Sequence, residues 1–269
     1  MPSQPSSAYE RASQDGSDPR CRPIRLTRPA PIGEAIRYPD YTDEDHRTWR
    51  RLWQRQINLL DHERLACSAF REGLAAMRFE PERIPDLRDV DAVLMEAAGW
   101  HVARVPGLLH ERDFFAFLAR CVFPCTDYIR PAHELDYTPA PDLFHDIFGH
   151  TPMIANPVFA RFYQRMGQAA LRAGAEDARR LERFYWFTVE FGLIREGGRT
   201  RVFGNGILSS HGESKYCLGD KVERRPFDAA VIVEQDYDVW HYQDLLFVIE
   251  SFEQLAEGFD VWALGRGLL

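Results

Sequence analysis

His145 and His150 lie in the stretch Asp142-Leu-Phe-His-Asp-Ile-Phe-Gly-His150, and Glu190 follows in Thr188-Val-Glu-Phe-Gly192. Two neutral imidazoles and one hard carboxylate oxygen suit Fe(II), and three ligands on one face leave positions open for O2 and a substrate. An isolated H-x4-H is more often a pair of structural histidines than a metal site. Here Glu190 stands among Tyr185, Trp186, Phe187, Val189 and Phe191. An ionised carboxylate in that company needs a partner, and a cation is the obvious one. The pattern is not the H-E-x-x-H of zinc proteases, because residue 146 is Asp and the second histidine comes one position late. A hydrolytic zinc site would use the same ligand types; the aromatic surroundings favour an apolar, ring-shaped substrate.

Residues at i and i+5 stand about 140° apart on an unbroken α-helix, so His145 and His150 cannot share a face there. Gly149 is expected to let the helix unwind and Pro152 to forbid its continuation. His145 then projects from the helix and His150 turns in from past its end. Glu190 belongs on a separate helix packed alongside.

The elements that must hold these residues read as mainly α: a single helix-rich domain with a small peripheral β-sheet. Residues 1–37, rich in Ser, Pro, Arg and Gln, are expected to be a disordered tail. Residues 38–269 form the catalytic domain, with no boundary or repeat inside. Thr42 or Asp43 caps a helix carrying Trp49, Leu52, Trp53 and Ile57 at helical spacing. Helices are predicted over 65–77, 90–98, 113–123, 157–173, 178–194 and 244–255. Short strands are predicted over 101–105, 201–203 and 231–233, and 130–141 is turn-rich.

A chain of 269 residues with 45% hydrophobic composition can bury one large core. A net charge of −8 with no strong basic run beyond Arg-bearing helix faces gives nucleic-acid binding no support. No apolar run reaches membrane-span length and no leader opens the chain, so a cytoplasmic enzyme without membrane contact is expected. The five cysteines Cys21, Cys67, Cys121, Cys125 and Cys217 are odd in number and scattered, which points to reduced thiols. Cys121 and Cys125, four apart on a predicted helix, are expected to pack rather than bind zinc.

Five motifs carry a resemblance: Thr126-Asp-Tyr-Ile-Arg130, Tyr137-Thr-Pro, Pro141-Asp-Leu-Phe-His-Asp-Ile-Phe-Gly-His150, Tyr185-Trp-Phe-Thr-Val-Glu-Phe-Gly192 and Gly206-Ile-Leu-Ser-Ser210. In this order, over about residues 38–259, they resemble the pterin-dependent aromatic amino acid hydroxylases. The short chain and the His-Asp pair at 145–146 look most like the compact bacterial phenylalanine 4-hydroxylases. The regulatory domain of animal members and their C-terminal coiled-coil helix have no counterpart here, and a monomer is expected.

The resemblance implies Fe(II) on His145, His150 and Glu190, with O2 and a tetrahydropterin as cosubstrates in the hydroxylation of L-phenylalanine to L-tyrosine. The same chemistry on tryptophan, or at the meta carbon of phenylalanine, is the alternative. A catalytically silent metal-binding interaction protein is the reading from another class. Arg130 resembles the arginine that pairs with the substrate carboxylate, a task a guanidinium fork fits. Thr138, Gly206 and Ser209 resemble residues around the amino-acid backbone and the ligand histidine, and Pro141 and Trp186 resemble walls of the ring pocket. Gly107, Leu109 and Phe114 match the family's pterin loop and stacking phenylalanine. Asp146 could reach the pterin through water. A pterin-recycling dehydratase is the implied protein partner. Two departures stand out: Ala140 replaces a common Glu, and Phe203-Gly-Asn205-Gly replaces Tyr-Gly-Ala-Gly, expected beside the substrate backbone. Val239 aligns with an apolar position of the phenylalanine enzymes.

Overall fold

Thr42 opens the first long helix with a capping box: its side chain accepts from the Asp45 N–H while Asp45 reaches back to the Thr42 N–H. The helix runs Asp43–His62 and buries Trp49, Leu52 and Leu60. This computed structural model describes residues 18–27, 36–136, 138 and 140–269. Helices Ser68–Met77 and Leu87–Ala98 follow, and Gly99, at φ +70°, ends the latter in the left-handed conformation that glycine favours. Helices Pro157–Arg172, Ala175–Tyr185 and Phe252–Gly265 complete the main scaffold, and the predicted helix-rich class holds.

The sheet content is small, but the strands over 122–126 and 245–249 lie in the interior and not at the expected periphery. β1 (His101–Val105) pairs in parallel with β2 (Val122–Thr126). A four-stranded mixed sheet has the order β4-β3-β6-β5, from β3 (Leu193–Glu196), β4 (Arg199–Val202), β5 (Glu223–Pro226) and β6 (Leu245–Ile249). The β3–β4 hairpin turns on Gly197 and Gly198, both at positive φ, as a tight two-residue turn demands.

Five expectations need correction. The predicted helix 178–194 ends at Tyr185, passes through the turn Trp186–Glu190 and gives way to β3 at Leu193. The predicted helix 113–123 ends at Leu118, and the chain re-extends into β2. Cys121 therefore precedes a strand and Cys125 lies within one, where it is fully buried. The 231–233 strand is a helical turn, Ala229–Ile232, because Asp228 caps the N–H groups of Ala230 and Val231. The closing helix begins at Phe252, not 244, because 245–249 is the buried strand β6.

Most of the expected disordered tail lies outside the described residues. Within it, residues 18–27 pack on the domain. Pro19–Cys21 forms a 3-10 turn, Arg20 pairs with Glu134 at 2.7 Å, and Ile24 exchanges backbone hydrogen bonds with Leu108 and His110. Among the described residues no cysteine is disulfide-bonded, and no helix is long and apolar enough to cross a membrane.

Candidate active site

His145 and His150 share a face because the turn between them is widened, not unwound. Residues His145–His150 form a single π-helical turn, whose i→i+5 pattern aligns residues five apart. The turn runs directly into Thr151–Ile154, with Pro152 near its start. The expectation that Gly149 unwinds the helix and Pro152 stops it is therefore wrong. Pro152 removes the N–H that an α-helix would pair with the Phe148 carbonyl. Gly149 serves close approach instead: a Cβ there would stand 3.0 Å from the Asn205 carbonyl oxygen and 3.3 Å from Ser209 Cβ.

Glu190 is delivered by a second π turn, Trp186–Glu190, at the end of helix Ala175–Tyr185. An i→i+5 bond of 2.9 Å from the Phe191 N–H to the Trp186 carbonyl closes it. Three donor groups then converge. His145 Nε2 and His150 Nε2 are 2.9 Å apart, and the Glu190 carboxylate lies 3.2 Å from His150 Nε2 and 3.7 Å from His145 Nε2. One ligand atom from each residue falls within 4.8 Å of the others, a cluster that could hold one metal ion.

The electrostatics fit a cation. Burial pushes the His145 imidazole down to about 4, so it is neutral and ready to ligate. Burial alone would raise the Glu190 carboxyl, but His150, His145 and a hydrogen bond from Tyr185 outweigh it and bring it to about 2. A carboxylate facing two imidazole nitrogens is the donor set of a divalent transition metal. Ser209 fixes which nitrogen His145 offers. Its hydroxyl donates to the Asn205 carbonyl at 2.8 Å, so its lone pair accepts from His145 Nδ1 at 2.8 Å. The proton sits on Nδ1 and Nε2 faces the centre with its lone pair.

Arg130 is buried and locked to Asp142. Asp142 also accepts from the Arg130 and His145 backbone N–H groups, tying the arginine to the metal turn. Gly206 touches Glu190: a Cβ there would stand 3.1 Å from its carboxylate Oε2, so glycine lets the two segments meet. Thr138 is half-buried and donates to the Ala140 carbonyl, and the Pro141 carbonyl accepts from Tyr128 at 2.7 Å. Tyr137 and Pro139 of that motif lie outside the described residues.

The half-buried Trp186 ring packs against Phe191 and Tyr237, and its indole N–H donates to Gln243 Oε1 at 3.0 Å. Val239, in the same loop, is exposed. On the other side, Phe114 meets Phe123 edge-on, and Phe123 stacks on His150 with ring centres 4.8 Å apart. Gly107 and Leu109 are buried beneath the 18–27 segment, where Ile24 bridges Leu109. Asp146 accepts from the Thr126 backbone N–H at 2.7 Å, and burial raises its carboxyl to about 7.

Phe203 and Asn205 both lie inside the domain. Phe203 packs on Phe159 and Phe252 in the core, and Asn205 is wholly buried with its amide 2.9 Å from His150 Nδ1. Tyr163 and Tyr185 also support the ligands: the Tyr163 hydroxyl lies 3.4 Å from His150 Nδ1, and Tyr185 donates to Glu190. In the sequence both look like core aromatics, and only the fold brings their hydroxyls to the ligands.

The family model for biopterin-dependent aromatic amino acid hydroxylases matches residues 26–265. A phenylalanine-4-hydroxylase of Chromobacterium violaceum is 44% identical over 219 residues, covering 81% of this chain and 73% of that protein. A crystal structure of phenylalanine hydroxylase from that organism, with bound iron(III) and oxidised 7,8-dihydrobiopterin, aligns with a TM-score of 0.80 at 41% identity, covering 84% of this chain and 83% of the other. Its iron- and phenylalanine-bound structure aligns with a TM-score of 0.78 at 38% identity, covering 89% and 90%.

Proposed function

Because this chain belongs to the family of biopterin-dependent aromatic amino acid hydroxylases, we propose that it hydroxylates L-phenylalanine at the para carbon to give L-tyrosine. The observation that carries the reading is the convergence of His145, His150 and Glu190 in a buried, aromatic setting. Iron(II), with a tetrahydropterin, supplies the O2 activation that ring hydroxylation requires.

The chain's own residues bind and orient. His145, His150 and Glu190 hold the metal, and Ser209 keeps His145 in its ligating tautomer. Arg130 uses Nε and Nη2 on Asp142, which leaves Nη1 outside that pair for the carboxylate of the amino acid. Trp186 and Pro141 bound the ring, and Thr138, Gly206 and Ser209 surround the amino-acid backbone and the ligand histidine. Gly107, Leu109 and Phe114 hold the pterin, with Asp146 reaching it through water. The pterin is consumed with each turnover, so a recycling dehydratase is the expected partner of a monomeric, cytoplasmic enzyme.

The test is to incubate Fe(II)-loaded protein with tetrahydropterin and each aromatic amino acid, and to identify the products by chromatography. Para-tyrosine should dominate, and His145→Ala should lose both iron and product while staying folded. Meta-tyrosine or 5-hydroxytryptophan as the main product would overturn the substrate assignment. Full activity in His145→Ala would overturn the metal assignment.

A further inference from the structure

Asn205 reaches one ligand histidine directly and the other through Ser209. Its backbone carbonyl accepts from Ser209, the group that orients His145, and its side-chain Nδ2 is placed 2.9 Å from His150 Nδ1. Asn205 is fully buried and His150 is 2% exposed, so no solvent substitutes for this contact. The Asn205 Oδ1 atom has no hydrogen-bond partner among the described residues.

A histidine that ligates through Nε2 carries its proton on Nδ1, and that proton needs an acceptor. Among the described residues, two side chains reach His150 Nδ1. The Tyr163 hydroxyl is 3.4 Å away and already bonded to Tyr185 at 2.8 Å, whereas the Asn205 amide is half an ångström closer. The nitrogen and oxygen of an amide exchange places by a half-turn of its plane. The oxygen has no donor where it stands, so the proton on His150 decides which end of the amide faces Nδ1. With Nδ1 protonated, the oxygen does.

We propose that Asn205 is a positioning residue for the metal centre: its amide oxygen accepts from His150 Nδ1–H, fixes the ligating tautomer and orients the ring. An alanine, which family members commonly carry here, offers no such acceptor. The side chain thus adds a second orienting contact beside that of Ser209 on His145. The proposal rests on His145, His150 and Glu190 being the metal centre.

The test is calorimetric titration of Co(II) into wild type, Asn205→Ala and Asn205→Asp, with the metal-free melting temperature of each recorded. Asn205→Ala should bind the metal roughly 10–100-fold more weakly, the usual effect of losing an outer-shell partner. Asn205→Asp, which keeps an acceptor oxygen, should stay within a few-fold of wild type. Unchanged affinity in Asn205→Ala overturns the proposal, as does equal loss in both variants. Should a variant not fold, the wild type loaded with Zn(II) decides. Its NMR spectrum should contain a slowly exchanging His150 Nδ1–H with an Overhauser contact to Asn205, and absence of that signal overturns the role. A wild type that binds no metal overturns the metal-centre reading itself, a different outcome from wild-type binding that Asn205→Ala leaves intact.

Discussion

Arg130 and Asp142 face each other through two parallel hydrogen bonds of 2.8 Å each, Nε to Oδ2 and Nη2 to Oδ1. Asp142 has no exposed surface. Burial alone would raise its carboxyl, but the guanidinium reverses this and holds it below the ordinary value. The same carboxylate accepts from the His145 N–H at 3.1 Å, so the pair couples the proposed substrate anchor to the metal turn. A lysine keeps the charge but cannot make both contacts. Arg130→Lys should lower stability by about 1.5–3 kcal/mol, the worth of a charge-assisted contact. It should also raise KM for the amino acid more than it lowers kcat. Thermal melting and steady-state kinetics check this, and unchanged values in both would show that neither role belongs to the fork.

Gly149 leaves only van der Waals room for the segment that carries Asn205 and Ser209. An added Cβ would stand 3.0 Å from the Asn205 carbonyl oxygen and 3.4 Å from Ser209 Oγ. Overpacking of this kind costs roughly 1–3 kcal/mol. Gly149→Ala should therefore melt lower and also bind Fe(II) more weakly, because relief of the clash moves Ser209 away from His145. Melting curves and a metal titration read the two effects separately. A variant that melts lower yet binds iron normally would mean that the strain is relieved elsewhere.

The parts of this fold written in local chemistry were legible in the sequence. Strand 101–105 and the Thr42 cap fall where the residue pattern puts them. The ligand triad was legible because its residue types and aromatic setting are unusual together. Strands 122–126 and 245–249 were not, because a strand buried on both faces shows no alternation and reads like part of an apolar helix. The π turns were invisible for another reason: one extra residue in a turn leaves no periodic trace. Asn205 stood out as a departure, but its partner His150 is brought to it only by packing of the two turns.

Glu213 makes stability depend on pH away from the metal site. Burial pushes its carboxyl up to about 8 from an ordinary 4.5, against a modest pull from the Gln243 backbone N–H, and its Oε2 has no partner among the described residues. Between about pH 4.5 and 8 the folded protein therefore holds a proton that the unfolded chain has released. Stability from this group falls as pH rises through that window. Glu213→Gln removes the penalty. The variant should melt above wild type at pH 8, and the gap should close as pH falls toward 4.5. A gap independent of pH would assign the effect to packing instead.

Trp186 combines ring volume with a tether. Its ring packs against Phe191 and Tyr237 with centres 4.5 and 4.6 Å away, and its N–H reaches Gln243. Gln243 in turn donates to the carbonyls of Asp238 and His241, so the indole pins the 238–243 loop. Trp186→Phe changes both properties: it frees volume beside the proposed ring pocket and removes the donor to Gln243. The first change should shift preference from phenylalanine toward tryptophan by about 1–3 kcal/mol, since apolar pockets discriminate size weakly. The second should cost about 0.5–1.5 kcal/mol of stability, the net value of one hydrogen bond. Gln243→Leu separates them, because it cuts the tether and leaves the indole volume in place. That variant should melt lower with its substrate preference nearly unchanged, as read by the ratio of kcat/KM for the two amino acids. If Gln243→Leu shifts the preference as far as Trp186→Phe does, loop position and not ring volume selects the substrate.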